Sequence, residues 1–144
     1  MNFGAWFGSA FDEDGLYAAK IYYELLPTQI DSLATTQILG LTTTQVGALT
    51  TTQLGAITST QLGALTTTQI GGLTTTEVTA LTTTQLGGLT SSQVGVLTST
   101  QLGELTTTQM GGLTTTEVTA LTTTQLGALK TTQIDSLTTT QLVR

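Results

Sequence analysis

The sequence contains no cysteine and no histidine. Their absence removes the thiol nucleophile, the usual general base and the usual ligands of transition metals. We therefore expect a protein that is not an enzyme, with no catalytic residue, no metal site and no cofactor. Since disulfides are also impossible, cysteine usage gives no information about the redox compartment.

Positive charge is almost as scarce, with 3 lysine and arginine residues against 9 aspartate and glutamate residues and a net charge of -6. The positive side chains, Lys20, Lys130 and Arg144, are too few to form a basic patch that neutralises a run of phosphates. We therefore expect no nucleic-acid partner.

Long apolar runs are missing too. Threonine and glutamine interrupt the apolar residues every few positions, whereas a membrane-spanning helix needs about 18 apolar residues in succession. The first residues include no early lysine or arginine, which a signal peptide requires. The sequence predicts no membrane span and shows no signal peptide.

What the sequence does contain is an octad repeat, typified by LTTTQLGA, over residues 25–144. From Leu33 onward the first position of every octad is apolar, and so is the sixth, beginning at Ile38. Residues 71–87 recur word for word at 111–127, which suggests growth by block duplication. A fixed period of this kind is typical of a solenoid, in which each unit buries its apolar edge against its neighbours.

The order of residue types within the octad favours short helices. If the threonine at the second position is the N-cap, Thr-x-x-Gln forms a capping box, and the first and sixth positions form a hydrophobic staple. Glutamate, the other capping-box residue, replaces glutamine at Glu77 and Glu117. The single proline, Pro27, falls at the first helical position, where its missing N–H costs nothing. We predict an all-α solenoid with one short capped helix per octad.

A β-solenoid is the alternative, because threonine triplets have a high β-propensity. In a simple strand, however, the first and sixth positions would point to opposite faces. The helical prediction has exceptions of its own, since Leu26, Ala34 and Lys130 stand at the cap position. Glycines such as Gly47 and Gly55 stand at the seventh position. We interpret these glycines as helix ends, where glycine is favoured.

The apolar content of one octad also predicts association. Two large aliphatic side chains are too little burial to offset the entropy of ordering eight residues, so one octad cannot fold alone. Stacking of the octads must therefore bury additional apolar surface. An array with so little charge can bury still more of it against other copies of itself. We therefore predict self-association as a homo-oligomer or filament.

Residues 1–24 do not repeat and form a separate module ahead of the octads. Apolar spacing predicts a helix over residues 15–26. The module can cap the solenoid, dock on the next copy or anchor to a membrane surface. Its aromatic side chains are the candidate assembly interface: Phe3, Trp6, Phe7, Phe11, Tyr17, Tyr22 and Tyr23.

Runs such as LTTTQVGALTTTQLGA resemble the repeat tracts of very large bacterial surface and secreted proteins of the adhesin type. The resemblance covers residues 25–144. It implies a structural role in an extracellular stalk, matrix or filament, a location outside the cell or on its surface, and no catalytic residues.

Two other functions compete with a self-assembling scaffold. One is a binding module whose regular threonine rows match a repetitive ligand such as ice or a polysaccharide, which requires the flat face of a β-solenoid. The other is a passive spacer whose octad number sets a length.

Overall fold

The computed structural model describes residues 27–142, and all regular structure within that range is α-helical. It contains fifteen helices of four to six residues, one for each octad. The all-α prediction is confirmed, and residues 27–142 contain no strand that could build a flat β face. The helix predicted over residues 15–26 lies outside the described range.

The fifteen helices follow the octad period along the chain. They are α1 Pro27–Asp31, α2 Thr35–Leu39, α3 Thr43–Val46, α4 Thr51–Ala56, α5 Ser59–Ala64, α6 Thr67–Gly71, α7 Thr75–Ala80, α8 Thr83–Leu86, α9 Ser91–Gly95, α10 Ser99–Gly103, α11 Thr107–Gly111, α12 Thr115–Thr119, α13 Thr123–Gly127, α14 Thr131–Asp135 and α15 Thr139–Leu142.

Each helix packs on the helix three places further along the chain. Thus α1 contacts α4, α2 contacts α5, and the same step of three continues to α12 and α15. One turn of the solenoid therefore contains three octads. Helices within a turn follow one another around the axis, and helices in successive turns stack.

The predicted capping box forms at the start of the helices. At α3, the Thr42 hydroxyl accepts from the Gln45 N–H at 3.2 Å, and Gln45 Oε1 accepts from the Thr42 N–H at 2.8 Å. At the caps Ala34 and Lys130 the glutamine half of the box is kept, but no side chain caps the helix. These two helices consequently lack one of the hydrogen bonds that the threonine-capped helices have.

The two apolar positions of the octad have different places in the core. First-position side chains, from Leu33 to Leu137, are at most 8% exposed in every turn, including the last one described. Sixth-position side chains, from Ile38 to Val118, are at most 5% exposed, but in the last turn Ile134 is 43% exposed and Leu142 is 54% exposed. We infer that the first column is buried within each turn, while the second is buried by the turn that follows.

Some seventh-position glycines, among them Gly63, have a reason that the sequence did not indicate. Gly47 does follow the end of α3, but its φ of -72° and ψ of -1° are open to any residue. Gly55 and Gly63 lie inside α4 and α5, so the prediction that they end helices is wrong. A Cβ on Gly63 would lie 2.6 Å from the carbonyl oxygen of Gly88 in the next turn. Glycine is needed there because two backbones approach closely.

Candidate functional site: the turn joints and the end face

The glutamine at the fifth octad position joins consecutive turns. Oε1 of Gln61 accepts from the Thr58 N–H at 2.8 Å, which completes the cap of its own helix. Nε2 of the same side chain donates to the carbonyl of Leu33 at 2.7 Å and to that of Ile30 at 3.1 Å, both in the turn below. Gln61 is 4% exposed, so these bonds form in a site shielded from water. One amide therefore satisfies backbone groups of two turns.

The same joint recurs along the solenoid. In each case Nε2 donates to the carbonyl of the residue 28 positions earlier, which is the first residue of an octad one turn below. That carbonyl lies between two helices and has no helical partner of its own. The side chains that make this bond are Gln61, Gln69, Gln85, Gln93, Gln101, Gln109, Gln125, Gln133 and Gln141.

Glutamate interrupts this series at two joints. Oε2 of Glu77 and Oε2 of Glu117 cap their helices, accepting from the N–H groups of Thr74 and Thr114. The second oxygen of each, Oε1, is buried and has no hydrogen-bond partner. The two side chains are 3% and 1% exposed. Burial raises the pKa of Glu117 above its usual value, against the smaller lowering effect of its hydrogen bonds to Thr114.

The last described turn, α13 to α15, presents its sixth-position side chains to the surface. Ile134 is 43% exposed and Leu142 is 54% exposed, and Leu126 is half-buried. One turn below, Leu102 and Met110 are fully covered. We call the surface formed by Leu126, Ile134 and Leu142 the end face. It is the same surface that every earlier turn buries under its successor.

A cavity of about 160 Å³ opens beside this end face. An apolar cavity of about 150 Å³ can hold one benzene ring. Most of its lining is aliphatic, so it suits an apolar side chain. The lining residues are Val118, Thr119, Leu126, Leu137, Gln141 and Leu142.

Charged groups outside the core are sparse along the described helices. Lys130 Nζ lies 3.4 Å from Glu104 Oε1, and both side chains are more than half exposed, so this ion pair contributes little to stability. Residues 27–142 hold no group of three or more acidic side chains arranged to bind a metal ion. Within the same range, no helix is both long and apolar enough to cross a membrane.

The aromatic residues predicted as the assembly interface, from Phe3 to Tyr23, lie outside the described residues. Sequence reasoning identified the cap function of glutamine but missed its bond to the turn below. The available signal was the composition of the fifth position, which is glutamine or glutamate in every octad. An exposed position would tolerate a wider range of polar residues. It also missed the end face, because exposure there depends on the stacking of turns.

Comparison with known proteins supports the repeat interpretation. Residues 47–75 and 75–107 match the family model of the ALTTAQ repeat. The chain thus contains a tract similar to ALTTAQ repeats, and octads on either side of the match, at Thr42, Thr114 and Thr122, have the same threonine-capped helices. No curated protein and no solved structure matches the chain.

Proposed function

We propose that this chain is a structural, non-enzymatic repeat protein that associates end to end in an extracellular or cell-surface filament, stalk or matrix. The observation that carries the proposal is the end face. Its side chains occupy positions that each earlier turn buries, so covering them removes apolar surface from water in the same way. A stacked contact between different surfaces of two copies gives a filament when the rotation from one copy to the next does not close into a ring.

The occupant that we propose for the end face is the N-terminal segment, residues 1–24, of a second copy. That segment contains the aromatic side chains of the sequence, including Trp6 and Phe7. The cavity beside Leu142 is large enough to hold one aromatic ring. Aromatic side chains seated in apolar pockets are the usual anchors of protein interfaces. The adhesin-type resemblance of the octads supports the location outside the cell.

A matched pair of variants tests this contact in the full chain. We expect Leu142→Lys to shift the protein towards monomers, because it places a charge where the next copy would bury a leucine. The control is Val96→Lys, since Val96 is 41% exposed but lies away from the end face. Light scattering coupled to size exclusion measures the mass, and negative-stain electron microscopy measures particle length.

Substitution of Trp6 by alanine probes the other side of the same contact. Shorter particles with Trp6→Ala and with Leu142→Lys, but not with Val96→Lys, would support the proposal. Loss of assembly with Trp6→Ala alone would place the aromatic segment elsewhere on the solenoid. Monomers of the unmodified chain at every concentration would overturn self-assembly and favour a passive spacer.

A further inference from the structure

The joint at Glu117 differs from its neighbours in having a carboxyl oxygen where they have the NH2 group of an amide. Oε2 of Glu117 takes the role of glutamine Oε1 at the cap, so Oε1 of Glu117 corresponds to the amide nitrogen that glutamine uses to reach the turn below. By the spacing of the series, the carbonyl that it would serve is that of Leu89. An ionised carboxylate has no hydrogen to donate to a carbonyl. A protonated carboxyl has one.

We propose that the joint between α9 and α12 is a proton-dependent contact that closes when the Glu117 carboxyl is protonated and loosens when it ionises. In the closed form the carboxyl O–H donates to the Leu89 carbonyl, as the glutamine amides do elsewhere. In the ionised form a buried negative oxygen is left against a carbonyl oxygen, with no partner and little water.

Among the residues that the structure describes, no neighbouring charge offsets the ionised form. Glu117 lies on α12, which packs against α9 below and α15 above, and neither helix contains a titratable side chain. The other charged side chains of the described residues are Asp31, Glu77, Glu104, Lys130 and Asp135. Of these, Glu104 and Lys130 pair with each other on the surface. Burial is therefore the main influence on the Glu117 carboxyl.

The direction of the pH effect follows from the raised pKa of Glu117 in the folded state. The folded protein binds this proton more tightly than the unfolded chain, in which glutamate has a pKa of about 4.3. The contribution of the joint to stability is therefore complete below that value. It is lost as the pH rises through the higher pKa of the folded state.

Hydrogen exchange of two backbone amides in the full chain tests the proposal. Val118 follows Glu117 and donates to the Thr114 carbonyl. Leu62 follows Gln61 and donates to the Thr58 carbonyl in α5, which packs against α2 and α8 rather than against α9 or α12, so it is an internal reference. After correction for the intrinsic exchange rate at each pH, we expect the protection of Val118 relative to Leu62 to fall about tenfold from pH 4 to pH 7.5.

Two variants separate protonation from other differences between the octads. In Glu117→Gln the protection ratio should no longer depend on pH. In Gln61→Glu the protection of Leu62 should acquire the pH dependence that Val118 had. The proposal is overturned if the ratio in the unmodified chain is the same at both pH values, or if Glu117→Gln leaves a pH dependence in place. The result does not depend on whether copies associate.

Discussion

Nε2 of Gln93 lies 2.6 Å from the carbonyl oxygen of Leu65, in the turn below. Oε1 of the same side chain lies 2.7 Å from the amide nitrogen of Thr90, at the cap of its own helix. One buried amide thus pairs backbone groups that neither helix can satisfy by itself. The octad needs glutamine at this position for two reasons, of which helix capping is only one.

Replacement of that amide tests its contribution. Gln93→Leu leaves the buried carbonyl of Leu65 without its partner and removes the side-chain acceptor of the Thr90 N–H, so we expect the free energy of unfolding to fall by about 2–4 kcal/mol. Urea unfolding followed by circular dichroism measures the change. Ser92→Ala, at an exposed position on the same helix, is the control and should change stability by less than about 0.5 kcal/mol. Equal effects of the two variants would contradict the assigned role of glutamine.

The incomplete cap of α2 predicts a stabilising substitution. Ala34 has no side-chain oxygen to accept a hydrogen bond, although Gln37 Oε1 already accepts from its N–H at 2.8 Å. Ala34→Thr should complete the capping box and raise the free energy of unfolding by about 1 kcal/mol. Ala34→Val, which has nearly the same shape but no hydroxyl, should not. If both variants gave the same gain, the effect would come from burial rather than capping.

Two glycines at the same octad position should respond to alanine in opposite directions. A Cβ at Gly63 would meet the carbonyl oxygen of Gly88 at 2.6 Å, so Gly63→Ala should force the turns apart and destabilise by about 1–3 kcal/mol. At Gly55 nothing lies within 4 Å, so Gly55→Ala should stabilise α4 by about 0.5–1 kcal/mol. Thermal unfolding of the two single variants measures both changes. Effects of the same sign would refute the close-approach explanation.

The helices could be predicted from the sequence because each is specified within a few residues. Thr42 and Gln45 are three positions apart, and their capping box depends on no distant group. Ala34 and Lys130 could likewise be recognised as weak caps from their lack of a suitable acceptor. Local chemistry of this kind is visible in an octad by itself.

The stacking could not be predicted in the same way. The number of octads in a turn depends on the angle between successive helices, which is set at extended cap residues such as Thr74, with a ψ of 162°. A small change in that angle would alter which octads meet. The bond from Gln61 to Leu33, the approach of Gly63 to Gly88 and the exposure of Leu142 all depend on three octads per turn, so none of them follows from the octad alone.

The step of three between packed helices also determines how the molecule should respond to tension. Since the main contacts between helices join neighbouring turns, a force applied at one end should act first on a single turn and its row of amide bonds. When one turn detaches from its neighbour, it frees three octads of chain, which span about 80 Å when fully extended. The next turn then carries the load. Such a solenoid lengthens in equal steps and dissipates work at each of them, as a tether between two surfaces would need to do.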